Sequence, residues 1–461
     1  MKYHLVILGC QMNQSDAERV NAVMTKMRLV QTDSEEDASI IGIIACSVRQ
    51  KAIDKVYSKI SKWNKWKNKK NLITFVSGCI LPDDHKKFFK LFDLVFDMKE
   101  LAALPVMLSH YGVASPVSLI SVPENLEDNI IIKSGKKIFT GLQLVSKVKS
   151  PPQTWEVEPV YNSNFEAFIP IQNGCNKFCT FCAVPHTRGR EVSRPSGEIL
   201  SELEHLVKSG YKSITLLGQN VNSYGLDKHG DELSFAQLLD SIGNIADKAE
   251  ENVWIYFTSP HPRDMTRDVI ETIARYSSLA KQIHLPIQSG DDEVLKRMNR
   301  KHGIEHYAQI INWIRELLPT ATLFTDIIVG FSGETEEQFE NTRKAVRRFN
   351  FNMAYTAMYS PRPGAAAFVW GDDISHQIKK KRYADLADDL AEVALQQTNK
   401  MLNTTVKMLV REKDRKNGYL SGHIEGKIVA RFPSDDERLI GKFVNIKIES
   451  VTPFSVEGKL I

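Results

Sequence analysis

The stretch Gly174-Cys175-Asn176-Lys177-Phe178-Cys179-Thr180-Phe181-Cys182, running on through Ala183-Val184-Pro185-His186-Thr187-Arg188-Gly189, sets three thiols in a C-x3-C-x2-C spacing. Spacing this tight points three sulfurs into one small volume, as a cubic iron–sulfur core requires, and three protein ligands leave one iron of a four-iron core open. Zinc with His186 as a fourth ligand is the other reading, although structural zinc sites more often pair cysteines as C-x2-C. The knot follows a strand pattern at 167–171. From there strands at 213–217, 254–258, 282–285, 322–329 and 353–359 alternate with helices at 195–209, 234–246, 266–276, 304–318 and 336–349. Six strands in this rhythm predict a partial or full α/β barrel, whose functional groups collect at the carboxyl ends of its strands.

Only six cysteines occur in 461 residues, too few for a disulfide scaffold, so they read as ligands or catalysts. The other three each close a short apolar run: HLVILGC at Cys10, ASIIGIIAC at Cys46 and LITFVSGC at Cys79. Helical spacing at 16–27 and 52–66 separates these runs, giving the βαβ rhythm of a parallel sheet. Ligands gather outside the carboxyl ends of such strands, so the three thiols are expected to converge. Three cysteines buried as ordinary apolar residues are the alternative. That reading leaves unexplained why each one follows its strand.

The chain is expected to be globular and cytoplasmic, with neither a basic leader before an apolar run nor eighteen consecutive apolar residues. Residues 101–172 carry scattered strand patterns, and Lys147 to Pro152 marks a linker, with the join near Tyr161. A long helix at 375–402 precedes short β-patterned runs at 405–411, 418–423, 427–432 and 443–451, which predict a small C-terminal β-barrel. The domains expected are 1–125, an irregular linker at 126–160, the α/β barrel at 161–395 and the small barrel at 396–461. From Lys400 to Ile461 there are 12 Lys and Arg against 8 Asp and Glu, a net of +4 that equals the excess of the whole chain. A basic end module fits a polyanionic partner, with ordinary solvated charge as the alternative.

CNKFCTFC resembles the signature of the radical S-adenosylmethionine enzymes, and further segments extend the likeness over nearly the whole chain. They are GCQMNQSDAER from Gly9, ACSVRQKA from Ala45, GCNKFCTFCAVPHTRGREVSRP from Gly174, LLGQNVNSYG from Leu216, TSPHP from Thr258, HLPIQSG from His284, TDIIVGFSGETEEQF from Thr325 and YSPRPG from Tyr359. Their order is that of the radical S-adenosylmethionine methylthiotransferases, and the last sixty residues resemble the RNA-binding TRAM module. Within the family the likeness is nearest to the branch acting on N6-isopentenyladenosine (dimethylallyladenosine) in tRNA, judged by VPHTRGREVSRP and GQNVNSYG.

The resemblance implies two four-iron four-sulfur clusters and S-adenosylmethionine. Cys175, Cys179 and Cys182 hold the cluster that binds S-adenosylmethionine, while Cys10, Cys46 and Cys79 hold an auxiliary cluster for sulfur delivery. The implied reaction places a methylthio group on C2 of N6-isopentenyladenosine at position 37 of tRNA. Partners would be the anticodon stem-loop, an electron donor and a sulfur donor, with no membrane and a monomeric chain. The alternatives are threonylcarbamoyladenosine or a ribosomal-protein aspartate as target and, in another class, an RNA-binding protein with structural metals.

Contacts to S-adenosylmethionine are expected from Gln219, Asn220, Gln288, Ser289, Gly333 and Glu334, all at ends of barrel strands; a catalytic side chain is not assigned. Arg188, Arg190 and Arg194 read as phosphate contacts in preference to partners of local carboxylates. The basic, Trp-containing segment from Lys59 to Lys70 reads as a solvated helix face, with RNA contact as the alternative. Three positions depart from the family pattern: Ile44-Ala45 stands for Asn-Thr, Leu81-Pro82 for Ala-Gln, and His186 for Tyr.

Overall fold

Register between parallel strands places the N-terminal cysteines. The computed structural model describes residues 1–47, 50–113, 131–133, 137–139, 153–228 and 230–461, with only the backbone described at 131–133 and 137–139. The linker expected at 147–152, and Val48-Arg49 within ACSVRQKA, lie outside the described residues. The chain divides into two compact units, 1–162 with 183–190, and 163–182 with 191–461.

Among the described residues the first unit has seven strands: β1 (Lys2–Leu8), β2 (Val30–Gln31), β3 (Ile40–Cys46), β4 (Ile73–Cys79), β5 (Leu94–Val95), β6 (Ile131–Lys133) and β7 (Lys137–Phe139). Their order is β2-β1-β3-β4-β5-β7-β6, parallel throughout except for the β6–β7 pair. All seven residues of β3 are buried. Its alternate side chains serve two cores, Ile40 and Ile44 meeting Val20, Val23 and Met24 of helix Gln11–Lys26, and Ile41 and Ile43 meeting Ile53, Val56, Ile60 and Trp63 of helix Gln50–Trp66. A strand covered on both faces must be apolar throughout, which is why this run shows no alternation.

The basic segment is fastened at its root. Trp63 is fully buried and donates its indole N–H to Glu35 at 3.0 Å, while Lys59 and Lys62 pair with the same carboxylate. These partners hold the Glu35 carboxyl down to about 2 despite the opposing effect of partial burial. Lys62 and Lys70 lie over the Trp66 ring. The expected helix is present, with its indoles and the ammonium groups of Lys59, Lys62, Lys67 and Lys70 already engaged.

In the second unit, β8 (Glu166–Pro170) is followed by β9 (Gln172–Asn173) and β10 (Val192–Ser193), which pair antiparallel. Next come β11 (Ser213–Leu217), β12 (Trp254–Phe257), β13 (Gln282–His284), β14 (Thr322–Val329) and β15 (Met353–Met358). β8-β11-β12 and β13-β14-β15 are two parallel three-stranded sheets, and a parallel bridge between Ile255 and Leu279 continues one towards the other. Helices at the predicted places cover the outer face, with apolar stripes such as Phe235, Leu238, Leu239 and Ile242 turned inward. A short helix, Asp292–Arg297, adds to the predicted set; Asp291 starts it by accepting from two backbone amides.

After helix His376–Asn399 come β16 (Thr405–Lys413), β17 (Tyr419–Ile424), β18 (Val429–Pro433), β19 (Phe443–Val451) and β20 (Ser455–Leu460), a closed barrel in the order β16-β17-β18-β20-β19. This barrel shares its core with the α/β part of its unit. Phe324 of β14 joins its interior, and Trp254 meets Phe443 edge-on at 4.6 Å. Thr322 Oγ1 donates to the Gly426 carbonyl at 2.7 Å, Tyr256 donates to the Glu425 carbonyl at 3.0 Å, and Arg411 pairs with Glu166 at 2.7 Å. Among the described residues, no helix is long and apolar enough to cross a membrane.

Because the interface is apolar and hydrogen-bonded, the small barrel is a structural part of the second unit. Trp254→Ala is expected to cost about 3 kcal/mol of unfolding free energy. Truncation after Val406 is expected to lower the unfolding midpoint further by exposing Trp254, Tyr256 and Phe324. Denaturant unfolding of the two variants against the full chain checks both.

Candidate metal centres

In the first unit Cys46 and Cys79 are register partners at the last residues of β3 and β4. Cys10 caps helix Gln11–Lys26, two residues past the end of β1. The Asn13 side chain stands among them: its oxygen accepts from the Cys10 amide at 3.2 Å, and its Nδ2 donates to the Ala45 carbonyl at 3.1 Å and points at Cys79 Sγ, 4.0 Å away. Two glycines make the room. A Cβ at Gly9 would land on the Asn13 amide; one at Gly78, where φ is +113°, would land on the Ala45 carbonyl. The sheet thus brings together the three thiols that the sequence places at strand ends.

Cys79 is held well above its ordinary pKa, first by a hydrogen bond with Cys46 and then by burial, and burial raises Cys10. A metal core bound by these thiols would displace their protons. Leu81 and Pro82, two of the positions that depart from the family, start helix Pro82–Phe88, with the Leu81 amide donating to Ser47 Oγ at 3.2 Å. Ile44 and Ala45 are core residues of β3.

Arg188 belongs to the first unit and is almost fully buried. Its Nε donates to Cys79 Sγ at 2.9 Å, and its terminal nitrogens pair with the buried Asp16 carboxylate. Burial opposes its charge, but Asp16 and Cys79 raise its pKa well above the ordinary value. Arg194 pairs with Glu198 and Glu202. The phosphate reading is therefore corrected for both: each guanidinium is taken up by carboxylates within its own unit.

In the second unit Cys175, Cys179 and Cys182 follow β9 on a loop in which Phe178 has φ +49°. Cys175 and Cys179 are buried and Cys182 half-buried. Burial pushes the Cys175 thiol up to about 11. The Lys177 amide donates to Cys175 Sγ at 3.5 Å, and Arg300 Nη1 donates to Cys179 Sγ at 3.4 Å. Among the described residues no three His, Cys, Asp or Glu side chains close round one point as a single ion requires.

Polar groups crowd the strand ends around this loop. Lys177 and Asp264 form a buried ion pair, and Asp264 also accepts from Ser223 Oγ at 2.7 Å and Asn220 Nδ2 at 3.3 Å. Among the described residues, Asn220 Oδ1, both amide atoms of Gln172, Glu191 Oε2 and His261 Nε2 are buried without a protein partner. Burial pushes the Glu191 carboxyl up to about 7 and holds His261 far below its usual range, with Arg300 adding to the second effect. His261 Nδ1 accepts from the Arg263 amide at 3.1 Å, so the neutral ring carries its proton on the unpartnered Nε2.

The expected S-adenosylmethionine contacts fall into two groups. Gln219 Oε1 accepts from the Gly174 amide at 2.5 Å, bracing the cysteine loop, and Asn220 offers an unpartnered oxygen. Gln288 sits at φ +72° in a bridge with Ile327. Glu334 accepts from the Gly330 amide at 2.7 Å and from Arg382 at 2.9 Å through Oε2 and leaves Oε1 unpartnered; burial pushes its carboxyl up to about 7. Ser289 bonds with Thr342 and caps the Asp291 amide, and Gly333 donates its amide to Asp373, so both serve their loops. Sequence reading missed Gln172, Lys177, Glu191, Asp264, His261 and Arg300 as polar groups of the site; a signal for His261 was its place in the motif TSPHP.

Residues 169–346 match the family model described as the Radical SAM superfamily, residues 2–97 match "Uncharacterized protein family UPF0004", and residues 399–461 match the TRAM domain. The chain is 36% identical over 462 residues to the tRNA-2-methylthio-N(6)-dimethylallyladenosine synthase of Clostridium botulinum strain Langeland, covering 98% of this chain and 95% of that protein. It belongs to the tRNA-2-methylthio-N(6)-dimethylallyladenosine synthase family. The same-named protein of Yersinia pseudotuberculosis is also 36% identical, over 100% of this chain and 92% of its own length. Among solved structures, the radical S-adenosylmethionine methyltransferase TsrM from Kitasatospora setae has the related fold, at TM-score 0.53 and 12% identity over 80% of this chain and 74% of that one.

For a member of this synthase family, the two thiol sets should each load independently. Anaerobically reconstituted chain is expected to hold about eight irons, and the Cys175→Ala, Cys179→Ala, Cys182→Ala triple variant about four. Iron analysis with the visible spectrum checks this. Stoichiometric zinc without a brown chromophore would refute it.

Proposed function

We propose that this chain methylthiolates C2 of N6-isopentenyladenosine at position 37 in the anticodon stem-loop of tRNA. Its cofactors are S-adenosylmethionine and two four-iron four-sulfur clusters. The observation that carries the reading is the pair of thiol sets, one beyond the carboxyl ends of the parallel strands β1, β3 and β4 and the other on the loop after β9, in a chain related end to end to synthases of this name. With the cofactors bound, the cluster and S-adenosylmethionine at Cys175, Cys179 and Cys182 supply a carbon-centred radical, and the cluster at Cys10, Cys46 and Cys79 supplies the sulfur.

The residues fit those groups. Among the described residues, Asn220, Gln172, Glu191, Glu334 and His261 each hold a buried hydrogen-bonding atom without a protein partner, where a polar cofactor is the natural partner. Gln219 fixes the loop carrying Cys175, and the Lys177–Asp264 pair locks the strand-end segments that bear Asn220 and Ser223. His261, which burial keeps neutral, presents an Nε2 donor to the site without adding charge. Burial of these groups also excludes water, which protects a radical from side reactions. A one-electron donor and a sulfur donor complete the reaction, in a chain acting as a monomer in the reducing cytoplasm.

Much of the cationic charge of the small barrel is already paired. Arg411, Lys413, Lys416, Arg431, Arg438 and Lys459 all meet carboxylates. Lys407, Arg415, Lys442 and Lys447 are exposed and make no salt bridge among the described residues, so they are the candidate phosphate contacts. Replacing all four by Gln is expected to reduce the slope of log K against log salt by about 0.7–0.9 for each phosphate that is no longer neutralised. Titration of tRNA binding across salt concentrations checks this, and the fold of the unit should be untouched.

Substrate choice is tested with isopentenylated, threonylcarbamoylated and unmodified anticodon stem-loops assayed side by side, with product nucleosides read by mass spectrometry. The isopentenylated RNA is expected to be converted, and Cys46→Ala is expected to abolish methylthiolation while sparing 5′-deoxyadenosine formation. Preference for the threonylcarbamoyl substrate would move the chain to the other branch.

A further inference from the structure

Among the groups that the proposed reaction leaves unassigned, Arg188 is the most strongly constrained. Its side chain is 3% exposed and its Asp16 partner 2% exposed, so neither charge is relieved by solvent. The Asp16 carboxylate engages both terminal nitrogens, which fixes the plane of the guanidinium and leaves Nε as the donor facing Cys79 Sγ at 2.9 Å. Asp16 itself stands on the helix that Cys10 caps, so the same helix orients the thiol at its start and the guanidinium beside another thiol. A rigid fork with a spare N–H is a geometry that lysine does not reproduce.

A buried Arg–Asp pair is electrically balanced and contributes little net stability compared with apolar packing. The pair here does something further: it aims a charge-assisted donor at a sulfur. Hydrogen bonds to cluster sulfurs stabilise the reduced, more negative state and so raise the reduction potential. We propose that Arg188, held by Asp16, is the positioning residue of the auxiliary centre, donating from Nε to the Cys79 thiolate and setting the potential of the cluster bound there. The inference rests on the two-cluster reading above.

The test uses the Cys175→Ala, Cys179→Ala, Cys182→Ala chain, in which only the auxiliary cluster remains, and reads its midpoint potential by EPR-monitored redox titration. Arg188→Lys keeps the charge next to Asp16 but loses the second, directed donor. Asp16→Asn with Arg188→Gln removes both charges together and leaves no buried ion unpaired. Each is expected to retain about four irons and to show a potential shifted to more negative values. A folded, iron-loaded variant with the parent potential overturns the proposal and leaves Arg188 as a structural clamp. Absence of iron from the parent triple variant instead refutes the two-cluster reading. Should both Arg188 variants fail to fold, the parent chain labelled with 15N-arginine decides by pulsed EPR: a nitrogen coupling to the reduced cluster is expected, and its absence overturns the proposal.

Discussion

Parallel strands that stop at one level are the constraint on which the first centre depends. β3 and β4 run in register so that Cys46 stands opposite Cys79, and β1 ends level with Ala45, one residue short of that pair. Gly9 turns the chain beyond the last paired residue of β1, Gly78 takes φ +113° one residue before the end of β4, and Asn13 fills the space beside the thiols. Ligand placement is therefore a property of backbone register. A slip of one residue in β4 would send Cys79 to the opposite face, and no side-chain rotation would bring it back. The second unit places its thiols differently: β9, paired antiparallel with β10, ends at Asn173, and the three thiols follow on one loop braced by Gln219.

The two thiol sets differ in how the neighbouring guanidinium is partnered. Each has a guanidinium at a cysteine, Arg188 at Cys79 and Arg300 at Cys179. Asp16 balances the first. Arg300 donates to the Pro286 carbonyl and, among the described residues, has no carboxylate partner. Lys177, by contrast, is matched by Asp264. The barrel interior thus sets Arg300 and Lys177 against Asp264 and a Glu191 carboxyl that burial pushes up to about 7, whereas the guanidinium at Cys79 is met directly by Asp16.

What the sequence reveals and what it hides divide along physical lines. The strand-end cysteines are legible because an apolar run closed by Cys is a local pattern, and the alternation of the α/β barrel is legible because burial imposes periodicity; strands 213–217 and 322–329 and helix 336–349 agree with the structure residue for residue. Arg188 is not legible because its partner lies 172 residues away. Nothing in HTRGRE distinguishes an arginine that meets phosphate from one that meets a buried carboxylate. The lysines of 59–70 look solvated for the same reason, since Glu35 comes from a distant part of the chain. The small barrel is legible as a β-module, but its seat on Trp254 and Phe324 is not: those residues look like ordinary core of the α/β part.

The unmet hydrogen-bonding atoms of the second unit carry a thermodynamic consequence. Each buried donor or acceptor without a partner costs about 1–3 kcal/mol. Gln172, Asn220, Glu191, Glu334 and His261 together place several such costs at the ends of barrel strands, in the unit that carries three thiols, of which burial keeps Cys175 protonated. A fold does not tolerate such a concentration for packing alone, since apolar residues of like size would be more stable there. A polar ligand that supplied the missing partners would relieve that cost, and its binding free energy would then be drawn partly from the protein's own unsatisfied interior. Stability and ligand affinity would be linked quantities, with the polar strand ends of the second unit as the region where stability is exchanged for a site.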